Sequence, residues 1–322
     1  MAGWLQNNDE GEVQILRARA AAPTDALILW MTVVRTHAFE VPVVQDDTLQ
    51  GFILRYRELS SSGLAELQRA EPGNAMLWLM SLRNAANQDD APAVDAALTH
   101  LASSEYYDDH AAELLRAQLD LLQHHPLPSK FFDAVARLDP GWRLNGNFAR
   151  DVAPYYQNQY PFADIGITNL FFMPVESGIG ELYRVCDLQA HLSATRKGAC
   201  VKTGRLLAAR ARRVAVRESG STLLSQISEF VGDDVRRART QAWIHLQFQQ
   251  IRPPNSGFQR PVVGNEVAFI KDWIESSDEF EAMKRAVARA GAPLEPPEDF
   301  RLKEAAYGNF ERARADGHAQ TE

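Results

Sequence analysis

Apolar residues recur along this chain with the period of an α-helix. Between residues 74 and 86 they fall on one helical face, at Ala75, Trp78, Leu79, Leu82 and Ala86. Asn74 directly precedes this stripe and is a favourable helix N-cap. A second stripe opens with Pro92, which suits the first turn of a helix. The pattern therefore predicts two successive helices joined by a short turn.

The same period continues through much of the remaining chain. Further apolar stripes begin near Leu114, Leu223 and Val267. After the last of them, the run Ser-Ser-Asp-Glu at 276–279 resembles a capping box that starts another helix. The stripe from Leu223 includes Phe230 and Val231. Strand-like runs at 41–44 and 261–263 are short and contain or border proline, so neither predicts a central strand. We therefore predict an all-α protein of about ten to thirteen helices.

The segment Glu-Pro-Gly-Asn-Ala-Met-Leu-Trp at 71–78 resembles the opening of a tetratricopeptide (TPR) repeat. That family begins its first helix after an acidic-Pro-x-Asn turn and places a tryptophan early on it. The chain departs from the family at Ser81 and Leu82, where a Leu-Gly pair is usual, and at Val94, where a small residue is usual. The resemblance covers one hairpin of about 34 residues and implies stacked antiparallel hairpins, a TPR-like α-solenoid that holds peptides or proteins. A helical bundle with one accidental match is the alternative.

We expect three regions along the chain. Residues 1–145 form the TPR-like hairpin region, 146–297 a C-terminal helical bundle, and 298–322 a polar tail with few apolar anchors.

Positive charge is concentrated in one segment of an otherwise acidic chain. The formal net charge is −8, yet eight Lys and Arg residues and no acid lie between 196 and 217. Helical spacing places Lys202, Arg205, Arg212 and Arg213 on overlapping faces, which makes them candidates for binding an acidic protein partner. A solvated helix face and docking against the acidic N-terminal half are the alternatives. We expect no nucleic-acid binding, because the chain is net acidic and the run lacks interleaved aromatic residues.

An aromatic, proline-interrupted stretch is the second candidate for partner binding. It contains Tyr155, Tyr156, Tyr160 and Phe162. Core packing is one interpretation. An exposed surface of tyrosine and phenylalanine would instead anchor a protein partner.

The two cysteines permit a disulfide. We expect Cys186 on a helix at 180–191 and Cys200 on a helix at 198–213, with a turn near residue 193 midway between them. In an antiparallel hairpin, residues equidistant from the turn face each other, so a bridge is possible. Two buried thiols in a helix–helix contact are the alternative.

Signatures of catalysis are absent from the sequence. It has no Gly-x-Ser-x-Gly, phosphate-loop, dinucleotide-binding or zinc motif. Asp109, His110 and Glu113 could reach one cation, but we favour a helix start that Asp108 and Asp109 cap, with His110 solvated. Glu176 and Glu181 form the best local carboxylate pair. We expect no catalytic residue, metal or cofactor.

The function most consistent with these features is a non-catalytic protein–protein interaction module of a bacterial helical-repeat type. An adaptor, a chaperone and a toxin-neutralising immunity partner all remain open, and the alternative class is an all-α enzyme with a carboxylate-lined site between the halves. No apolar run is long enough to span a bilayer. Without a signal peptide we expect a cytoplasmic protein; a periplasmic one is the alternative if a native signal precedes this sequence and Cys186 and Cys200 are bridged.

Overall fold

The computed structural model describes residues 9–23, 25–42, 55–124, 178–187, 192–251 and 265–302. Tyr155, Tyr156, Tyr160 and Phe162, the predicted boundary at 145, and residues 303–322 lie outside this part of the chain. The described residues are mostly helical, which confirms the all-α prediction at the level of fold class. None of the helices among them is long and apolar enough to cross a membrane.

Regular structure in the described residues consists of twelve helices and two strands. In chain order these are α1 Asp9–Ala21, α2 Ala26–His37, β1 Ala38–Pro42, β2 Arg55–Leu59, α3 Ser61–Ala70, α4 Ala75–Asn87, α5 Ala91–Ser103, α6 Ala111–His124, α7 Ile179–Val185, α8 Ala194–Arg210, α9 Val214–Gln226, α10 Asp233–Ile251, α11 Asn265–Ser276 and α12 Glu279–Arg289.

The two strands form a small antiparallel sheet that the sequence analysis did not predict. β1 pairs with β2 so that Ala38 lies opposite Leu59 and Pro42 opposite Arg55. Both strands are edge strands, and Pro42 stands at the end of the ladder, where a missing N–H is tolerated. The two strands are distant in the chain, and β2 is rich in charged residues. The sequence therefore has no alternating apolar pattern from which β2 could be predicted.

The chain divides into two compact units. The first comprises Met1–Arg184 with Asn255–Val263, and the second comprises Val185–Pro254 with Gly264–Glu322.

In the first unit, each of the helices α1 to α4 packs against the helix that follows it. Asn74 caps α4 through its side-chain oxygen, and Pro92 stands in the first turn of α5, as predicted. Leu79, Leu82 and Leu98 are fully buried between these elements. Gly178, with a φ of 75°, lies so close to α4 that a Cβ there would collide with the carbonyl oxygen of Leu79.

In the second unit, α8 and α9 form a hairpin in which the two backbones approach closely. A Cβ at Gly220 would collide with the backbone nitrogen of Ala208 and lie 2.7 Å from the carbonyl oxygen of Gly204. The core of this unit joins α9, α10 and α12 through Val214, Ile244, Phe248, Phe280, Met283, Ala286 and Val287.

Two predicted details of the second unit are wrong. The stripe from Leu223 does not extend to Phe230 and Val231, because α9 ends at Gln226 and Val231 is 60% exposed. The N-cap of α12 is Asp278 rather than Ser276, since the carboxylate of Asp278 accepts from the backbone N–H of Phe280 and of Glu281. Ser276 is instead the last residue of α11.

The first residues of the predicted polar tail are packed on α10. Trp243 donates its indole N–H to the carbonyl oxygen of Pro293, and Arg239 donates to those of Pro297 and Glu298. Phe300 is buried and meets the Trp243 ring edge-on at 5.2 Å. Two residues of the predicted tail therefore contact α10, since Glu298 accepts from Arg239 and Phe300 packs on Trp243.

Candidate functional site

The cationic residues of α8 and of the segment after it lie beside acidic residues of the same unit. Arg205 Nε is 3.1 Å from Asp234 Oδ2, and Lys197 Nζ is 2.8 Å from Glu229 Oε1. The hydrogen bond from Lys197 lowers the pKa of Glu229. Lys197 and Glu229 are each more than one third exposed, so solvent screens this pair and it contributes little to stability, whereas Asp234 is only 11% exposed.

Arg213 and Arg217 connect the start of α9 to the start of α12. Arg213 Nε is 3.2 Å from Glu279 Oε2, and its guanidinium lies 5.1 Å from the Trp273 ring centroid. Arg217 is buried and donates to the carboxylate of Asp278 and to the carbonyl oxygen of Ala211. Asp278 and Glu279 thus accept these donors while they start α12.

Arg205 and Arg213, which were predicted to bind a partner, have carboxylate neighbours within the second unit. Of the other predicted cations, Arg212 accepts at its backbone oxygen from the N–H of Glu279, and Lys202 is exposed. The predicted intramolecular alternative named acids of the N-terminal half, whereas Asp234 and Glu279 belong to the second unit. Binding of an acidic partner to this face stays a prediction.

The cysteine pair forms as the symmetry of the sequence predicts. Cys186 and Cys200 are joined by a disulfide, with their Cα atoms 5.9 Å apart and both side chains buried. The helix expected at 180–191 is shorter, because α7 ends at Val185 and Cys186 lies in the turn that follows. Cys200 lies on α8 as expected.

A network of buried hydrogen bonds joins the start of α4 to the segment that precedes α6. Asn74 is 1% exposed; its side-chain nitrogen donates to the carbonyl oxygen of Asp108 at 2.8 Å, and its oxygen accepts from the N–H of Asp108 at 3.1 Å. The backbone adds bonds from Ala75 N to Tyr106 O and from Glu105 N to Gly73 O. We call this network the Asn74–Asp108 link. Its two ends are 34 residues apart in the chain.

His110 lies beside this link and is surrounded by carboxylates. Its Nε2 is 3.0 Å from Glu71 Oε2, and its backbone N–H donates to Asp108 Oδ1 at 2.9 Å. Burial by itself lowers the pKa of His110, but the hydrogen bond to Glu71 and the charges of Glu71, Asp108 and Glu113 raise it above its ordinary value. The cluster is therefore a region of strong negative potential.

The predicted cation-binding set has one wrong member. Asp108, rather than Asp109, is grouped with His110 and Glu113, and one ligand atom from each of these three residues lies within 4.8 Å of the others. Asp109 caps the helix start by accepting from the N–H of Ala111. The reason is that α6 begins only at Ala111 and His110 has a φ of 55°, so Asp109 and Glu113 are not one turn apart on a continuous helix. Of the predicted carboxylate pair, Glu181 lies on α7 and Glu176 is outside the described residues.

Comparison with known proteins adds no relative. No family model, no curated protein and no solved structure matches this chain.

Proposed function

We propose that this protein is a non-catalytic protein-interaction module built from stacked helical hairpins. The observation that carries the proposal is the Asn74–Asp108 link, which joins the start of the α4–α5 hairpin to the segment before α6 across 34 residues. That separation equals the repeat length of the TPR family. The resemblance of residues 71–78 to that family and this spacing are independent, since the first is a local motif and the second is a tertiary contact.

The chemistry of the link supports a repeated architecture. Hairpins that stack as repeats need contacts at equivalent positions, so that each start is fixed on the next. Asn74 caps α4 while it bonds both backbone polar groups of Asp108, and the carboxylate of Asp108 in turn accepts from the N–H of His110 just before α6. We further propose that the second unit is a compact helical bundle, for which the shared core of α9, α10 and α12 is the support.

The second part of the proposal concerns the partner. The run from Arg196 to Arg217 supports an acidic protein, because its exposed cations, Lys202, Arg205 and Arg210, all lie on α8, and the half-buried Arg212 and Arg213 follow directly. Pairing with Asp234 and Glu279 holds Arg205 and Arg213 in place and lowers the net positive charge they present. The partner would therefore compete with these carboxylates, and binding should weaken as salt concentration rises.

Affinity capture from the source cell, followed by reconstitution with the captured protein, tests the module. A stoichiometric complex that re-forms from two purified proteins supports it. If the chain purifies alone after chemical cross-linking in intact cells, the module is refuted.

A matched pair of triple variants then tests the acidic partner. The first carries Arg205→Glu, Arg212→Glu and Arg213→Glu; the control carries Lys284→Glu, Arg285→Glu and Arg289→Glu, which makes the same change of charge on α12 and also removes ion pairs. We expect the first to weaken binding at least tenfold, or about 1.4 kcal/mol, and the control to change it little. A folded first variant that binds as tightly as the wild type refutes this role of the basic run.

A further inference from the structure

We propose that Asp108, His110 and Glu113 bind one divalent first-row transition-metal ion, with Zn²⁺ the best-fitting ion. One ligand atom from each residue already lies within 4.8 Å of the other two. A tetrahedral zinc site with ligand bonds of about 2.1 Å separates its ligand atoms by roughly 3.4 Å. Small rotations of the three side chains would therefore bring the donors to coordinating distance.

The imidazole is oriented for this role by a carboxylate outside the donor set. Glu71 Oε2 lies 3.0 Å from His110 Nε2, so ligation through Nδ1 would leave the Nε2 N–H donating to Glu71. Histidines that bind metals generally donate their second ring N–H to a carboxylate or carbonyl, which fixes the tautomer and the ring plane. The carboxylate of Glu71 is itself held in place, because Asn74 Nδ2 donates to the same oxygen, Oε2, at 3.1 Å.

Burial and charge favour a dication at this position. Asp108 is 4% exposed and His110 6% exposed. Carboxylates held out of water are costly unless positive charge lies near them. Glu71, whose Oε2 lies 3.0 Å from His110 Nε2, adds a third carboxylate beside Asp108 and Glu113, so the cluster carries negative charge that would attract a dication.

The donor set discriminates between metal classes. Calcium and magnesium take six or more oxygen ligands and coordinate imidazole poorly. One imidazole nitrogen and two carboxylate oxygens suit Zn²⁺, with water in the fourth position. The ion would connect the start of α6 to Glu71, the C-cap residue of α3, through His110, so it should also stabilise the first unit.

Titration of the full chain tests the site. The protein should carry no affinity tag, be stripped with EDTA and dialysed, and be titrated calorimetrically with ZnCl₂ and separately with MgCl₂. We expect one equivalent of Zn²⁺ to bind and to raise the melting temperature, and Mg²⁺ to do neither. X-ray absorption at the zinc edge should show nitrogen and oxygen neighbours with an imidazole signature.

Three variants show where the ion binds. Glu113→Gln keeps the shape of a half-buried side chain, and we expect it to weaken Zn²⁺ binding at least tenfold; His110→Gln should do the same. Asp109→Asn is the matched control, because its side chain caps α6 from the same segment but is outside the donor set, so it should bind like the wild type. If His110→Gln fails to fold, Glu113→Gln carries the test. The proposal is overturned if the wild type does not bind Zn²⁺, if Mg²⁺ binds equally well, or if folded Glu113→Gln retains full affinity.

Discussion

The hairpins α4–α5 and α8–α9 have the same architecture but are held together by different forces. Between α4 and α5, large apolar side chains fill the contact, and neither helix contains glycine. Between α8 and α9, Gly204 and Gly220 let the backbones approach until little room remains for a side chain. The first hairpin should therefore be sensitive to lost volume, and the second to added volume.

The polar contacts of the two hairpins also differ. The start of α4 is fixed by the buried Asn74–Asp108 link. The α8–α9 hairpin has one disulfide, the largely buried ion pair Arg217–Asp278, and the more exposed pairs of Arg205 and Arg213. Buried hydrogen bonds are costly to leave unmade, while exposed ion pairs contribute little. The exposed charges of α8–α9 should thus contribute little to its stability, compared with its backbone packing, its disulfide and the largely buried Arg217–Asp278 pair.

The largest effect should come from a cavity in α4–α5. Leu98→Ala removes a side chain that is 1% exposed, and we expect it to lower the free energy of unfolding by about 4 kcal/mol. Thr99→Ala, on the exposed face of the same helix, should change it by no more than about 0.5 kcal/mol. Urea unfolding followed by circular dichroism measures both, and hydrogen exchange assigns the loss to α4 and α5. Similar values for the two variants would contradict the comparison.

Added volume should do comparable damage in α8–α9. Gly220→Ala inserts a methyl group against the backbone of Ala208, so we expect a loss of about 3 kcal/mol. Gly198→Ala is the control on α8: nothing lies within 4 Å of a Cβ there, and alanine should stabilise the exposed helix by up to about 1 kcal/mol. The same unfolding measurements apply. The explanation fails if Gly220→Ala is as stable as the wild type.

The disulfide should stabilise the second unit by a similar amount. Replacing Cys186 and Cys200 together by alanine opens a loop whose ends are 14 residues apart, which costs roughly 3 kcal/mol on the chain-entropy model. Dithiothreitol should destabilise the wild type and leave the double variant unchanged. Alkylation of the denatured, unreduced wild type should add no label; two labels per chain would show free thiols.

Local features of these hairpins were predictable from the sequence, and non-local ones were not. The caps and periods of α4 and α5 lie within a few residues of the helices that they define, so the pattern located both helices. The β1–β2 pairing and the contacts of Arg205 and Arg213 join residues that are distant in the chain, and sequence spacing does not predict such contacts. The cysteine pair is the exception, because it is symmetric about a nearby turn.

The cluster of Asp108, His110 and Glu113 illustrates a second limit of prediction from the sequence. The sequence placed His110 and Glu113 correctly but chose Asp109 over Asp108, because a continuous helix was assumed through residue 110. The backbone of His110 is left-handed, and the segment before it is held by Asn74, which lies 34 residues before Asp108 in the chain. Glu71 was missed for the same reason, since its contact with His110 spans 39 residues.

The smallest of the four effects distinguishes a buried link from an ordinary helix cap. Asn74→Ala removes a cap and also leaves two buried backbone groups of Asp108 without this side chain, so we expect a loss of about 2 kcal/mol. Asp90→Ala removes only the exposed N-cap of α5 and should cost about 1 kcal/mol. Hydrogen exchange separates the two: the first variant should expose amides at the start of α6 as well as α4, and the second only those of α5. Equal losses confined to one helix each would mean that Asn74 acts as a simple cap, and the 34-residue link would then no longer support a repeated architecture.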